Sequence, residues 1–499
     1  MHNLHKEKNN LICLVKIDNH LYRDVPPLGV LYLASALSRN GYRVEIYHIE
    51  NNEIAAYGQI ILKKNPLFVG FSVVTGWGVN PAVDLSRIIK NKSQIPIVWG
   101  NVHPSCLPQQ CLSEDYIDIV CIGESEETVV KLASALENKS DLSEISGIGY
   151  KKSNNQIIIN PRRSRIKNLD QYDIDWDLVD INRYITSCWG IKRTLRVITS
   201  RGCPFNCLFC YNLFFNQRQW YSHSAQYVIQ KLSNLVKAHN IEALYFNDDN
   251  FFVNQKWAWE VLNGLKVPYY ASVRSELINS EFAQKLSDTG CQELLIGFES
   301  GSDAVLKNIL NKGTTEKENY NAVNILSQYP QIKISGSFIT AIPGETEKDV
   351  QKTIQMICKF LEIHPNFKVI LAFYRPMPGT ELYKLSIANG FVPPDKTEDW
   401  SCFDALDNNF ELPWLDKKAS KRAEALCQAM ETLDALYKFN IPIVKNIILQ
   451  SILKGSFDSG LLKIVNKVRT KYAFGNSEHK STMILRRIVN FVKKQKNLN

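Results

Sequence analysis

The chain has 499 residues, 45% of them hydrophobic and 22% charged, which suits a globular protein of two to four domains and excludes a disordered or fibrous one. Its formal net charge of +9 is unevenly placed: from Lys417 onward 17 Lys and Arg stand against 5 Asp and Glu, a balance of +12 that leaves −3 for everything before it. That distribution argues against a basic body that binds nucleic acid. The polar start carries no signal-peptide pattern, no 18-residue apolar run predicts a membrane span, and 12 thinly spread cysteines fit a reducing cytoplasm.

Residues 11–140 alternate short apolar runs with helix-like stretches. Leu11–Val15 reads as a strand, and Val30 to Asn40 as a helix ended by Gly41, where a left-handed cap is easily adopted. Further strands are predicted at Arg43–Tyr47, Leu67–Ser72, Ile95–Trp99 and Ile117–Ile122, with a helix opening after Gly123. The alternation predicts a parallel, doubly wound α/β sheet, in which ligands bind beyond the strand carboxyl ends. Those ends carry Pro26-Pro27-Leu28-Gly29, Thr75-Gly-Trp77-Gly, Gly100-Asn-Val-His103-Pro and Gly123-Glu124-Ser-Glu. Glycines there let the backbone approach a bulky ligand.

Residues 141–190 read as a connector, with a small hairpin, the basic run Arg162-Arg-Ser-Arg165 and aromatic cover from Asp175–Val179. Next comes Arg201-Gly-Cys203-Pro-Phe-Asn-Cys207-Leu-Phe209-Cys210-Tyr211, a C-x3-C-x2-C trio. Three thiolates on a four-iron cluster leave one iron open to a chelating substrate. A structural zinc site needs a fourth Cys or His at a matching spacing, and neither His223 nor His239 supplies a partner pattern. Disulfides do not suit the compartment.

Over residues 191–398 the strand–helix alternation repeats. Strands are predicted at Leu195–Thr199, Ala243–Asn247, Tyr269–Val273, Glu293–Gly297, Ile332–Ile339 and Lys368–Ala372. Six βα units are too few for a closed eight-fold barrel. Polar residues follow the strands: Asp248-Asp249-Asn-Phe251, Arg274 and Glu276, Gly297-Phe-Glu299-Ser, Pro343-Gly-Glu-Thr346 and Pro378-Gly-Thr380. Residues 399–499 read as basic amphipathic helices, including Ala419–Tyr437 and Ile443–Leu453, which could lie on an anionic membrane surface, close over a hydrophobic substrate, bind a partner or cap the barrel.

The cysteine spacing and its flanks resemble the radical S-adenosylmethionine (radical SAM) superfamily. The strand-end loops of residues 1–140 are similar to the cobalamin-binding domain that precedes the radical SAM core in one large subfamily, whose loops read roughly PPLG and GGxHPT. Here PPLG is intact and the second reads Gly100-Asn101-Val-His103-Pro-Ser105, with Asn101 in place of a glycine. The resemblance covers residues 10–400. It implies a Rossmann-like cobalamin domain, a partial (β/α)6 barrel, and a C-terminal helical region. It also implies three cofactors: a [4Fe-4S] cluster on Cys203, Cys207 and Cys210, SAM, and cobalamin.

By the same resemblance Phe209 lies near the adenine of SAM, though core packing accounts for it too, and Asp249, Arg274 and Glu299 line the SAM pocket. Pro27, Gly29, Thr75, Trp77, Gly100, His103, Gly123 and Glu124 are carried as cobalamin contacts. Trp77 is a candidate to shield the lower face of cobalt or simply to pack a domain interface, His103 to shape its loop. Asp18-Asn-His20 lacks the rest of the DxHxxG pattern, so His20 reads as a solvated loop histidine rather than an axial ligand.

The resemblance implies an enzyme, with methyl transfer to an unactivated carbon as the expected reaction. A carbon radical cannot attack the electrophilic methyl of SAM in polar fashion, whereas a cobalt-borne methyl suits it. Radical oxidation or ring closure, as in the anaerobic magnesium-protoporphyrin ester cyclase, is the alternative. A tRNA methylthiotransferase is disfavoured by the absence of its extra cluster cysteines, and a non-catalytic cobalamin or metal sensor by the presence of the SAM-pocket residues. The expected partners are a small or lipid-like biosynthetic substrate and an electron donor of flavodoxin or ferredoxin type, without nucleic acid.

Overall fold

The computed structural model describes residues 10–427, apart from 21, 189, 404–410, 418, 422 and 424. The C-terminal basic segments beyond 427, and with them the possible membrane contact, lie outside the described residues. Among the described residues no helix is long and apolar enough to cross a membrane. The chain divides into two compact units. The first runs to Ser272 and takes in Pro376–Ile387 and residues from Val392; the second spans Val273–Arg375, Ala388–Phe391 and the described residues after 410.

The first unit opens with β1 (Leu11–Ile17), α1 (Leu28–Arg39), β2 (Arg43–Ile49), α2 (Ile54–Lys64), β3 (Phe68–Ser72), α3 (Val79–Lys90), β4 (Ile97–Gly100), the short helices α4 (Val102–Cys106) and α5 (Pro108–Ser113), β5 (Ile119–Cys121) and α6 (Glu126–Asn138). Strand order is β2-β1-β3-β4-β5, all parallel. The order reverses between β1 and β3, which makes their carboxyl ends the crevice where doubly wound sheets take ligands. The apolar run in β1 has a direct cause: the strand is central and covered on both faces, so every residue but Lys16 is buried. Ile12, Leu14, Phe68 and Val98 of the sheet pack against Ala34 and Leu37 of α1 and Val129 and Leu132 of α6.

The connector hairpin is β6 (Ile148–Lys151) and β7 (Ile157–Ile159). It does not stand alone. β6 pairs antiparallel with β5 and β7 antiparallel with β6, so the sheet has seven strands and β6 alone runs against the rest. Gly149 makes this possible, because a Cβ there would fall 2.5 Å from Ile159 and 2.9 Å from Leu112. The Asp175–Val179 stretch folds onto α1, where the Asp175 N–H donates to Ser35 Oγ at 2.8 Å.

The first unit continues with β8 (Ile185–Cys188), β9 (Ile191–Val197), the two-residue β10 (Ser200–Arg201) and β11 (Tyr221–Ser222), α7 (Ala225–His239), β12 (Ala243–Phe246), α8 (Gln255–Leu265) and β13 (Tyr269–Val273), whose last residue opens the second unit. β8 runs antiparallel to β9, an edge strand the apolar pattern does not announce; β9, β12 and β13 are parallel. The second unit has α9 (Ser280–Asp288), β14 (Cys291–Glu299), α10 (Glu316–Leu326), β15 (Lys333–Thr340), α11 (Glu347–Ile363) and β16 (Phe367–Phe373), with β14-β15-β16 parallel. Thr315 with Glu318, and Thr346 with Asp349, form capping boxes that start α10 and α11. The core here is aromatic: Phe298 lies 5.6 Å from Phe338 and 4.9 Å from Phe360 between ring centroids. Counting β9, β12, β13, β14, β15 and β16, six parallel strands follow the connector, as the alternation predicts.

Candidate active site

A cavity of about 310 Å³ in the first unit opens at the β1–β3 reversal. Leu14, Val30, Phe68 and Val98 give it an apolar wall. Gly29, Gly100, Gly123 and Glu124 from the strand-end loops line it as well, together with Arg201, Tyr211 and Asp249 from the region after β9. Two parts of the sequence far apart thus share one wall. Gly29 has no atom within 4 Å of where a Cβ would stand, so its surface faces open space. Gly123 has φ +79°, a conformation side chains rarely adopt, and the Arg162 guanidinium packs against it, 3.4 Å from where a Cβ would stand.

Asn101 departs from the glycine of the family pattern, yet it holds the glycine conformation. Its φ is 83° and ψ −164°, a region side chains rarely enter. The side chain offsets the strain: Oδ1 accepts from the Val102 N–H at 2.7 Å, capping α4, and Nδ2 donates to Ser72 Oγ at 3.0 Å.

Other candidates stand away from the cavity wall. Pro27 is buried at the N-cap of α1. His103 is fully buried, its ring edge-on to Trp400, with Thr75 Oγ1 at 3.1 Å from Nδ1. Burial pushes its pKa down to about 3, so it is neutral; it shapes the loop. Trp77 is half-buried with the Lys16 ammonium 5.8 Å from its ring centroid, and His20 is exposed.

Glu124 is the most heavily engaged of the candidates. Its side chain is 5% exposed and meets Arg165 at 3.0 Å and Arg201 at 3.4 Å, while Glu126 meets Arg201 at 2.7 Å. Burial opposes the Glu124 charge, but the hydrogen bond from Arg165 and the two guanidinium charges hold its carboxyl below the usual range. Arg201 also stacks on Tyr32 at 4.4 Å. The connector arginines, which the sequence marked only as a basic run, clip the chain that returns from the cysteines. Arg162 donates to the carbonyls of Phe214 and Phe215 at 2.8 and 2.6 Å, and Arg165 to those of Asn216 and Gln219 at 2.8 and 2.9 Å.

The three cysteines share the loop between β10 and β11. Cys207 is buried, Cys203 and Cys210 half-buried, and the Cys210 N–H closes a turn on the Cys207 carbonyl at 3.1 Å. No described cysteine is in a disulfide. Among the described residues no three His, Cys, Asp or Glu side chains converge at single-ion distance. A cuboidal cluster does not ask for that, since each thiolate binds a different iron. A loop with three sulfurs and no fourth ligand fits such a cluster. Phe209, just before Cys210, is half-buried. Asp249 accepts from the Gly202 N–H at 2.8 Å and the Tyr211 O–H at 2.5 Å. Its neighbour Asp248 is buried and accepts from Thr199 and Ser200, anchoring the strand end.

Arg274 and Glu299 belong to the second unit. Buried Arg274 donates to the Glu276 carboxylate and, at 2.5 Å, to the Lys312 carbonyl. Glu299 is buried with φ +63°, and its Oε1 accepts from Lys312 Nζ at 3.0 Å. Sequence reading missed Lys312, because Asn311-Lys-Gly313 looks like an ordinary loop. The signal was Gly297: a Cβ there would fall 2.3 Å from Glu299 Oε1 and 2.8 Å from Lys312 Nζ. The glycine of Gly297-Phe-Glu-Ser makes room for a buried ion pair.

Known families and relatives match both halves of the described chain. The B12 binding domain family matches residues 15–133 and the Radical SAM superfamily residues 197–357. A Pyrococcus horikoshii protein described as an uncharacterized methyltransferase is 32% identical over 397 residues, 78% of this chain and 83% of that one. The anaerobic magnesium-protoporphyrin IX monomethyl ester cyclase of a Synechocystis species is 26% identical, covering 75% of each chain. The solved structure of the cobalamin-dependent S-adenosylmethionine radical enzyme OxsB, with aqua-cobalamin bound, superposes with a TM-score of 0.65 over 97% of this chain and 75% of its own. At 19% identity that likeness is one of fold.

Proposed function

The chain belongs to the cobalamin-dependent radical SAM family, and we propose that it is a methyltransferase acting on an unactivated carbon of a small biosynthetic intermediate. One observation carries this reading: glycine-rich loops of the cobalamin-type sheet and residues flanking the cysteine loop line the same cavity. Carbon methylation of this kind needs a radical source and a methyl source within reach of one substrate.

The residues fit both groups. Gly29, Gly100 and Gly123, beside the apolar wall, would receive cobalamin, and Cys203, Cys207 and Cys210 would hold the cluster. When bound, the cluster supplies the electron that cleaves SAM to a carbon-centred radical, and cobalamin supplies the methyl group. Asp249, Arg274 and Glu299 are proposed to bind SAM, the carboxylates toward its amino group or ribose and the guanidinium toward its carboxylate. Glu124 and Glu126 pair with Arg165 and Arg201, two carboxylates against two guanidiniums. A low-potential flavodoxin or ferredoxin would deliver the electron.

The test is anaerobic reconstitution with SAM, reductant and methylcobalamin. The reading expects 5′-deoxyadenosine and S-adenosylhomocysteine to form together, and a product heavier by one methylene-equivalent. Deoxyadenosine without S-adenosylhomocysteine would overturn methylation in favour of radical oxidation or ring closure, the second reading, which the similarity to the Synechocystis cyclase supports.

A further inference from the structure

We propose that Asp249 is a positioning residue that closes the cysteine loop at both ends, so that the three sulfurs are gathered before any iron arrives. The inference rests on the reading of that loop as the cluster site.

The two hydrogen bonds it makes bracket the ligands. Gly202, whose N–H reaches Asp249 Oδ2 at 2.8 Å, immediately precedes Cys203; Tyr211, whose hydroxyl reaches Oδ1 at 2.5 Å, immediately follows Cys210. Each carboxylate oxygen therefore holds one end of the loop, and Asp249 itself stands in the loop just beyond β12. The backbone at the first end has no freedom to settle elsewhere. Gly202 has φ +87°, and a Cβ would fall 2.0 Å from the Gln219 carbonyl, so the outgoing and returning limbs touch. The pairing of Ser200 with Ser222 and of Arg201 with Tyr221 fixes the base of the loop, and Arg165 fixes the returning limb.

The energetic argument favours a tether here. Ordering each loop residue costs about 1–2 kcal/mol, and a metal site formed on a loose loop must supply that from its binding energy. A staple that orders the loop in advance moves the cost into folding. A carboxylate has about four acceptor positions, so Asp249 retains capacity for the SAM amino group while it holds the loop. Its service to the cysteines is geometric.

The experiment compares Asp249→Ala, Tyr211→Phe and the double variant with the wild-type full chain. Three readouts are taken: amide exchange across residues 202–211 in the iron-free protein, the rate at which a chelator strips iron after reconstitution, and the EPR signal of the reduced cluster. The proposal expects faster exchange in both single variants and iron loss about ten-fold faster, with an altered EPR line shape. Because Tyr211 acts through Asp249, the double variant should be no worse than Asp249→Ala. Unchanged cobalamin binding and circular dichroism show that the fold is intact; for a variant that fails this check, Tyr211→Phe exchange in the iron-free protein decides. Wild-type exchange and iron retention in Tyr211→Phe, or a loss confined to SAM binding in Asp249→Ala, would overturn the proposal. A wild-type chain that binds no iron at all would instead overturn the cluster reading.

Discussion

Arg165 and Glu124 meet at 3.0 Å with side chains 3% and 5% exposed, joining the connector to the strand-end loop that lines the cavity. Separating two charges at this depth is costly, because the survivor stays buried and unpaired. Removing one partner of a buried pair costs about 3–5 kcal/mol. Glu124→Gln should therefore lower stability by roughly 3 kcal/mol and weaken cobalamin binding. Because the folded-state carboxyl titrates below its ordinary value, the contribution is fully present above about pH 4.3 and is lost as the pH falls through the folded-state pKa. The variant should thus lose part of the acid sensitivity. A denaturant midpoint within about 0.5 kcal/mol of wild type would contradict the structural role.

Asn101 separates two contributions that the sequence pattern merges. Asn101→Gly relieves the backbone strain but removes a cap, so the change in stability should stay within about 1 kcal/mol. Asn101→Ala keeps the strain and loses both hydrogen bonds, which should cost about 2–3 kcal/mol. Equal midpoints for the two variants would show that neither strain nor cap is at work.

Much of the architecture was legible because buried parallel strands announce themselves. Leu11–Val15, Tyr269–Val273 and the runs near β14, β15 and β16 are apolar for the same reason that they are strands. β8 was not legible, since Ile185-Thr-Ser-Cys188 is an edge strand with partly exposed side chains and no apolar run. The antiparallel attachment of β6 depends on which sheet edge lies nearby, and local pattern cannot encode that. In the candidate site, the cysteines and glycine loops could be read from spacing. Arg162 and Arg165 could not, because their partners are backbone carbonyls and a carboxylate some forty to fifty residues away, nor could Lys312, which reaches Glu299 only across a loop.

Three buried histidines set an acid limit. Burial, above all, pushes His103 down to about 3 and His223 and His364 to about 4. The unfolded chain binds protons near pH 6.5 while the folded chain does not, so stability falls as the pH drops below that value. Between pH 7 and pH 5 each histidine should contribute a loss of about 2 kcal/mol. His103→Gln should melt lower at pH 7 but show a shallower decline toward pH 5. A decline as steep as wild type would mean that His103 is already protonated in the fold.

Cys207 is the buried member of the trio, and Cys207→Ala should abolish the brown cluster absorbance and all SAM cleavage while sparing the B12-binding sheet. SAM cleavage that survives this change would remove the cluster assignment, and with it the radical chemistry.

Lys312 offers a test in the second unit that spacing alone would never have suggested. Its ammonium and the Glu299 carboxylate, both 7% exposed, pair at 3.0 Å above Gly297. Lys312→Met leaves Glu299 buried without its cation and should cost about 3 kcal/mol or more. The double change Lys312→Met with Glu299→Gln removes both charges and should recover part of that loss, a coupling of roughly 1–3 kcal/mol. SAM binding adds a second readout. If Glu299 is held in place for SAM, Lys312→Met weakens SAM binding, and the double variant regains stability without regaining affinity. Parallel recovery of stability and affinity would make the pair a packing element and remove Glu299 from the SAM site.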